Sequence, residues 1–125
     1  MENPKDLRYS KEHEWVKIEN GVATIGITDF AQHQLTDIVF IELPTAGKKA
    51  EQHKQIAVIE SVKSVSDVFS PVSGDIVEVN SKLSDNPEII NKDPYVEGWI
   101  AKINAKDAKE LDNLLTADAY SKLIQ

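Results

Sequence analysis

The sequence predicts a mainly β domain with short helices, closed by a helical C-terminus. Three observations carry this expectation. Short runs of alternating apolar and polar residues fill 14–103, turns rich in Gly, Pro and Asn separate them, and a leucine-bearing amphipathic stretch occupies 107–125. At 125 residues the chain suits a single domain over 1–125, able to bury a modest core over about 14–103 with the helical tail packed beside it. No linker, low-complexity tract or basic run interrupts it.

Trp15-Val16-Lys17-Ile18 and Val22-Ala23-Thr24-Ile25-Gly26-Ile27 flank Asn20-Gly21, a hairpin signal because both turn residues tolerate positive φ. Asp29 then opens a short amphipathic helix over 30–35, with Gln32 at the capping-box spacing. Residues 37–43 read as a strand running into Pro44-Thr45-Ala46-Gly47, and 55–59 as another leading to a turn at Lys63. Val65, Val68 and Phe69 follow, then Pro71-Val72-Ser73-Gly74, then a cleanly alternating, half-buried strand over 75–80. Asn86-Pro87 begins one helical turn, with Asn as cap and Pro in the first position. Residues 98–103 read as the closing strand. In the tail, Asp107 and Glu110 form a capping-box pattern ahead of Leu111, Leu114 and Leu115. Thr116 caps a second piece bearing Tyr120, Leu123 and Ile124.

Two of these segments resemble each other. Val39-Phe40-Ile41-Glu42-Leu43-Pro44-x-x-Gly47 and Val68-Phe69-Ser70-Pro71-x-x-Gly74 each run a Val-Phe strand into a Pro-x-x-Gly turn, 27 residues apart. A weak internal duplication follows, two similar β halves with Lys63 on the hairpin between them.

Composition narrows the chemistry. The chain has no cysteine, which excludes disulfides, thiolate metal sites and cysteine nucleophiles, so any sulfur redox chemistry needs a cofactor. A net charge of −7 opposes nucleic-acid binding. The N-terminal residues carry no signal core or Arg-rich targeting stretch, and no apolar run has spanning length, so a soluble, cytoplasmic protein away from membranes is expected. His13, His33 and His53 are unpaired at metal-ligand spacing and read as surface or partly buried residues; no metal site is expected. No Gly-x-Ser-x-Gly elbow and no phosphate loop is present. A self-contained enzyme, with catalytic residues of its own, is not expected.

Lys63 is the side chain placed for chemistry. It sits mid-way along Ile59-Glu60-Ser61-Val62-Lys63-Ser64-Val65-Ser66-Asp67, where a short turn carries it into water. A hairpin crest suits a lysine that must be reached by a transferase and then bear a swinging cofactor. Small Ser61 and Ser64 leave room for an enzyme to close over it.

Around this lysine, Glu60-Ser61-Val62-Lys63-Ser64 strongly resembles the H protein family of the glycine cleavage system, and the likeness extends over nearly the whole chain. Tyr9-Ser10-Lys11-Glu12-His13-Glu14-Trp15 is similar to the family's N-terminal signature. Gly26-Ile27-Thr28-Asp29-x-Ala31-Gln32, the first Pro-x-x-Gly segment and Ser70-Pro71-Val72-Ser73-Gly74 also match, as do Leu83, Pro87, Ile90-Asn91, Pro94-Tyr95 and Gly98-Trp99. The resemblance implies a barrel-sandwich hybrid of the lipoyl-domain type with added terminal helices. It also implies lipoate covalently attached to Lys63 by a lipoylating enzyme. As implied partners, the PLP-dependent P protein loads an aminomethyl group on the arm, the T protein takes it off, and the flavin-dependent L protein reoxidises the arm. The H protein would itself be a non-catalytic shuttle, expected to be monomeric since it visits three partners. Glu14 and Asp67 match family positions associated with a cleft where the loaded arm rests. Carboxylates suit that role because the loaded arm ends in a cation that water can hydrolyse.

Phe30 and Thr36 stand where the family often has His and Gly, Gln34 where relatives can have His, and Glu51-Gln52-His53-Lys54-Gln55 replaces a common Lys-Gly-Asp-like turn. These departures bear on cleft contacts and on the turn before the Ile56 strand. Other functions use the same lysine. A lipoyl relay would pass its lipoyl group to other lipoyl domains and would require Lys63 equally. A biotin carrier would show methionines beside the lysine, where this chain has Val62 and Ser64. An interaction module or small hydrolase would leave Lys63 unmodified.

Overall fold

Asn20 and Gly21 both take positive φ, 52° and 79°, in the computed structural model, which describes residues 2–125. Their turn joins β2 (Glu14–Glu19) to β3 (Val22–Ile27) with Glu19 opposite Val22, the register of a two-residue hairpin. β1 (Arg8–Tyr9) pairs with β2. On the other side β3 is followed by β9 (Ala101–Ala105), β8 (Gly74–Val79) and β5 (Lys49–Ala50), giving one six-stranded antiparallel sheet. A second sheet has three antiparallel strands, with β6 (Gln55–Ser61) between β4 (Ile38–Glu42) and β7 (Val65–Phe69).

The inward faces of the two sheets meet in one aliphatic core that includes Val16, Ile25, Ile41, Ile59, Ile76 and Ile103. Burial of each such side chain contributes about 1.5–3 kcal/mol, so this cluster is the main source of stability. A second cluster of Leu7, Tyr9, Trp15, Ala117 and Tyr120 fastens helix α4 (Ala117–Leu123) to the outer end of the first sheet. The Tyr9 and Tyr120 rings stack there with centroids 4.7 Å apart, and paired backbone bonds join Tyr9 to Leu115. Gly26 lies opposite Trp15 in the β2–β3 ladder; a Cβ at that position would sit 2.8 Å from the indole, so glycine is what lets the ring lie flat.

The duplicated segments occupy related places. β4 and β7 flank the same strand, β6, and the chain leaving each Pro-x-x-Gly turn pairs with the other. Gly47 N–H donates to the Ile76 carbonyl at 2.7 Å, and Ile76 N–H donates to the Lys48 carbonyl at 2.8 Å. A Cβ on Gly74, where β8 begins its pairing with β9, would run into the Asn104 carbonyl.

Several local expectations are corrected. Helix α1 spans Asp29–Leu35, and its cap is Thr28, whose hydroxyl accepts the Ala31 N–H at 3.2 Å; Asp29 instead accepts from the Gln32 side chain at 2.8 Å. The closing strand runs over Ala101–Ala105, three residues later than expected at its start: Gly98 N–H bonds the Asp93 carbonyl of the preceding turn, the Trp99 carbonyl accepts from the Asn80 side chain, and Ile100 N–H bonds the Ile25 carbonyl of β3 just ahead of the regular ladder. The helical turn expected at 86–91 becomes α3 (Ile89–Lys92), but Asn86 does not cap it: the N-cap is Glu88, with no side-chain cap bond, and Asn86 instead ends an unanticipated α2 (Lys82–Asp85) that buries Leu83. The strand over 75–80 does not alternate cleanly. A bulge between Ile76 and Glu78 turns Val77 outward, 51% exposed, and similar irregularities fall at Val39 and Ile56. The tail's first piece is a 3₁₀ helix, Ala108–Asn113, and no capping box forms. Asp107 accepts the Lys109 N–H, whereas the Glu110 carboxylate accepts the Ser73 N–H and hydroxyl, both at 2.7 Å.

α1 ends at Thr36 with φ 64° and ψ −145°, a conformation natural to glycine and strained for a β-branched residue. Thr36→Gly is expected to raise stability by about 1 kcal/mol, the relief of strain exceeding glycine's extra unfolded-state entropy. Urea titration of the two proteins reads this directly, and a less stable glycine variant would refute it.

Candidate functional site

Lys63 lies on the three-residue connection 62–64 between β6 and β7, exposed to solvent. The turn is built around Ser61. Its Oγ accepts the Lys63 and Ser64 N–H groups at 3.1 and 3.0 Å and donates to the Ser64 carbonyl at 3.2 Å. Ser61 N–H donates to the same carbonyl at 2.8 Å, and Val62 N–H to the Asp37 carbonyl at 2.9 Å. Ser61 is therefore more than a small neighbour; its hydroxyl fixes the shape of the crest. The Lys63 side chain lies back towards α1, with Nζ 3.3 Å from the Gln34 carbonyl.

Gln34 is also on the rim of a cleft of about 230 Å³ between the two sheets, roofed on one side by α1. Phe30, Ala31, Gln34 and Leu35 form the helical wall, Glu12, His13 and Glu14 the wall at the start of β2, and Ser66 and Asp67 the β7 side. Apolar Ile27, Ile59 and Val68 complete the lining. The structure thus brings Glu14 and Asp67 into one cleft, 53 positions apart in sequence, with the Lys63 amine near its edge.

The two carboxyl groups differ in setting. Glu14 is only 2% exposed. One oxygen accepts from the Ser10 hydroxyl and the other from the Phe69 N–H at 3.1 Å, while Glu14 N–H returns a bond to Ser10 Oγ at 3.0 Å. Burial pushes its pKa up to about 7, against the opposing pull of those hydrogen bonds, with nearby Glu12 adding a smaller upward push. Asp67 is exposed and accepts from the Gln55 amide at 3.1 Å. The pair therefore combines an adaptable buried acid with a solvated carboxylate at the mouth.

His13, expected to be a surface or partly buried residue without a role, stands on the cleft wall with positive φ, 72°, its ring 4.8 Å from Phe30. Glu12 of the N-terminal signature also enters the site, as do Phe30 and Gln34, whose departures from the family pattern were expected to bear on cleft contacts. His33 pairs with Asp29 at 3.5 Å on the outer face of α1. His53 takes φ 67° in the turn before β6, where its N–H donates to the Ser70 carbonyl at 2.7 Å, so the unusual 51–55 segment still closes that turn. Among the described residues no cluster of three or more His, Asp or Glu side chains is arranged to hold a metal.

A solvent-facing lysine on a hairpin between two packed sheets, with a partly apolar, carboxylate-bearing cleft beside it, defines a carrier domain of the barrel-sandwich type. Comparison with known proteins narrows this class. The family model "Glycine cleavage H-protein" matches residues 7–125, and the chain belongs to that family. It is 56% identical over 117 residues to the glycine cleavage system H protein of Symbiobacterium thermophilum, covering 94% of this chain and 91% of that one. With the Geobacillus thermodenitrificans H protein it shares 52% identity over 124 residues, 99% of this chain and 98% of the relative. The crystal structure of a glycine cleavage system H protein from Mycobacterium marinum superposes with a TM-score of 0.88 at 38% identity, over 95% of this chain and 96% of the other. The fold is accordingly the mainly β, barrel-sandwich arrangement expected, with short helices and a helical C-terminus.

Proposed function

We propose that this chain is the lipoyl carrier of the glycine cleavage system, with Lys63 as its attachment point. The observation that carries the assignment of the residue is the crest itself: an exposed amine on a Ser61-ordered turn, held by one contact to Gln34 at the cleft's edge. These residues fit the group. The amine is open to an incoming enzyme, and the cleft beside it offers both apolar surface and carboxylates. When bound, lipoate supplies a dithiolane able to take up and release an aminomethyl group.

The chain's own residues then act as a holder. Glu14 and Asp67 face a cationic cargo from two sides, and a cation beside Glu14 favours its ionised form over the protonated form that burial favours. Ile27, Ile59 and Val68 limit water at the cleft floor, where hydrolysis of the cargo would begin. The protein itself is a non-catalytic subunit. It serves the P, T and L proteins of the system, receives its lipoyl group from a lipoylating enzyme, and works as a monomer in the cytoplasm. No helix among the described residues is long and apolar enough to cross a membrane, which is compatible with that setting.

Mass spectrometry after co-expression with a lipoylating enzyme tests the assignment. The adduct is expected on Lys63 alone, and the lipoylated protein is expected to support glycine–bicarbonate exchange by a P protein. An adduct on another lysine, or a Lys63 adduct that supports no exchange, would sink the proposal.

A further inference from the structure

A hydrogen-bond chain leads from the C-terminal helix to both walls of the cleft. Tyr120 of α4 is completely buried, and its hydroxyl lies 2.8 Å from His13 Nδ1 and 2.7 Å from Thr28 Oγ1. His13 stands on the β2 wall of the cleft. Thr28 caps α1, the helix that supplies Phe30 and Gln34 to the opposite wall, and Thr28 N–H donates to the His13 carbonyl at 3.1 Å.

Proton counting assigns the direction of this chain. Thr28 Oγ1 already accepts the Ala31 N–H, and Tyr120 is its other partner, so the threonine proton is satisfied by donation to the tyrosine oxygen. Tyr120 then donates to His13 Nδ1, which leaves the imidazole proton on Nε2. Burial lowers the His13 pKa and pushes that of Tyr120 up to about 12, so both stay uncharged near neutral pH. A charged imidazolium would have to donate from Nδ1 and reverse the chain, stranding the buried threonine proton. It would also repel a cationic cargo.

We infer that Tyr120 is a positioning residue for the cleft: its hydroxyl holds His13 as the Nε2–H tautomer and ties that wall to the start of α1. The inference rests on the reading of the cleft as the resting place of the loaded arm. It gives the C-terminal helix, which contributes nothing to the cleft lining, a part in cargo protection.

Tyr120→Phe removes only the hydroxyl and keeps the ring stacked on Tyr9. Tyr9→Phe is a matched control, since it removes a hydroxyl from the other ring of the stack, bonded at 2.6 Å to the Pro4 carbonyl. Two readouts are needed. Nitrogen-15 NMR of His13 in the unlipoylated protein reports the tautomer. Lifetime of the loaded arm is followed in lipoylated protein charged from glycine by a P protein. Hydrolysis there adds one water and releases formaldehyde and ammonium, leaving the thiol, so both intact mass and formaldehyde report it. Tyr120→Phe is expected to give a mixed tautomer and a lifetime shortened by about fivefold, with Tyr9→Phe within about twofold of wild type, although both lose comparable thermal stability. An unchanged His13 spectrum, or a lifetime equal to that of Tyr9→Phe, would overturn the role of Tyr120. A wild-type arm that decays as fast as free aminomethyl-dihydrolipoamide would overturn the cleft reading instead, while the spectrum would still decide the tautomer.

Discussion

Lys63→Arg is expected to abolish carrier activity while leaving the fold intact. The side chain is exposed, and the hydrogen bond from Nζ to the Gln34 carbonyl at 3.3 Å is a single surface contact, so stability should change by no more than about 0.5 kcal/mol. Arginine keeps the positive charge, yet its guanidinium stays protonated and offers no free amine for an amide bond to lipoate. Intact mass after treatment with a lipoylating enzyme should therefore show no adduct, and glycine–bicarbonate exchange should drop to background. Thermal unfolding that matches wild type separates lost chemistry from lost structure. Retained exchange activity would mean that the carrier group sits elsewhere.

Glu14→Gln should change both stability and cargo protection, in opposite directions at alkaline pH. The folded carboxyl titrates near 7, against an ordinary value of 4.5, because it is buried. Between those values the folded protein holds a proton that the unfolded chain has released. Stability therefore falls as pH rises from about 4.5 to about 7, and the loss is complete above 7; the shift corresponds to about 3 kcal/mol. Glutamine does not titrate. The variant is expected to gain on wild type across that window and to be the more stable protein at pH 8, as urea titrations at successive pH values would read. The loaded arm should behave the other way, decaying faster in Glu14→Gln and faster still with Asp67→Asn added, since the cation then lacks its carboxylate partners. Equal lifetimes in the double variant and wild type would remove both residues from the proposed role. A flat difference in stability between pH 4.5 and 8 would show that Glu14 does not titrate as its burial requires.

The elements legible in sequence were those whose causes are local. Asn20-Gly21 announces a turn by its backbone preferences alone, and β2, β3 and β6 follow from alternation around such turns. The short strands β1 and β5 carry no such signal, since two residues have no period and exist only because a neighbouring strand offers bonds. Glu110 shows how tertiary contact overrides a local pattern: its carboxylate meets Ser73, 37 positions away, and leaves the expected cap unmade. The same division holds at the site. Lys63 stands out because a hairpin crest can be recognised from its flanks. Glu14 and Asp67 came from family likeness, and only the packing of the sheets shows that one is buried and the other solvated. Tyr120 reads as an ordinary core residue of an amphipathic helix; its hydroxyl gains meaning from partners 107 and 92 positions away.

The lie of the Lys63 side chain along the α1 rim has a thermodynamic corollary. An arm rooted at the edge of its own cleft returns there in a unimolecular step, so occupancy does not change when the protein is diluted. A short flexible tether presents its end at an effective concentration of the order of millimolar. A cleft with intrinsic affinity only in that range would hold the cargo about half of the time. In the proposed resting role such weakness would be serviceable: the cargo would be sheltered between encounters, yet a docked partner would have little binding free energy to overcome in drawing it out.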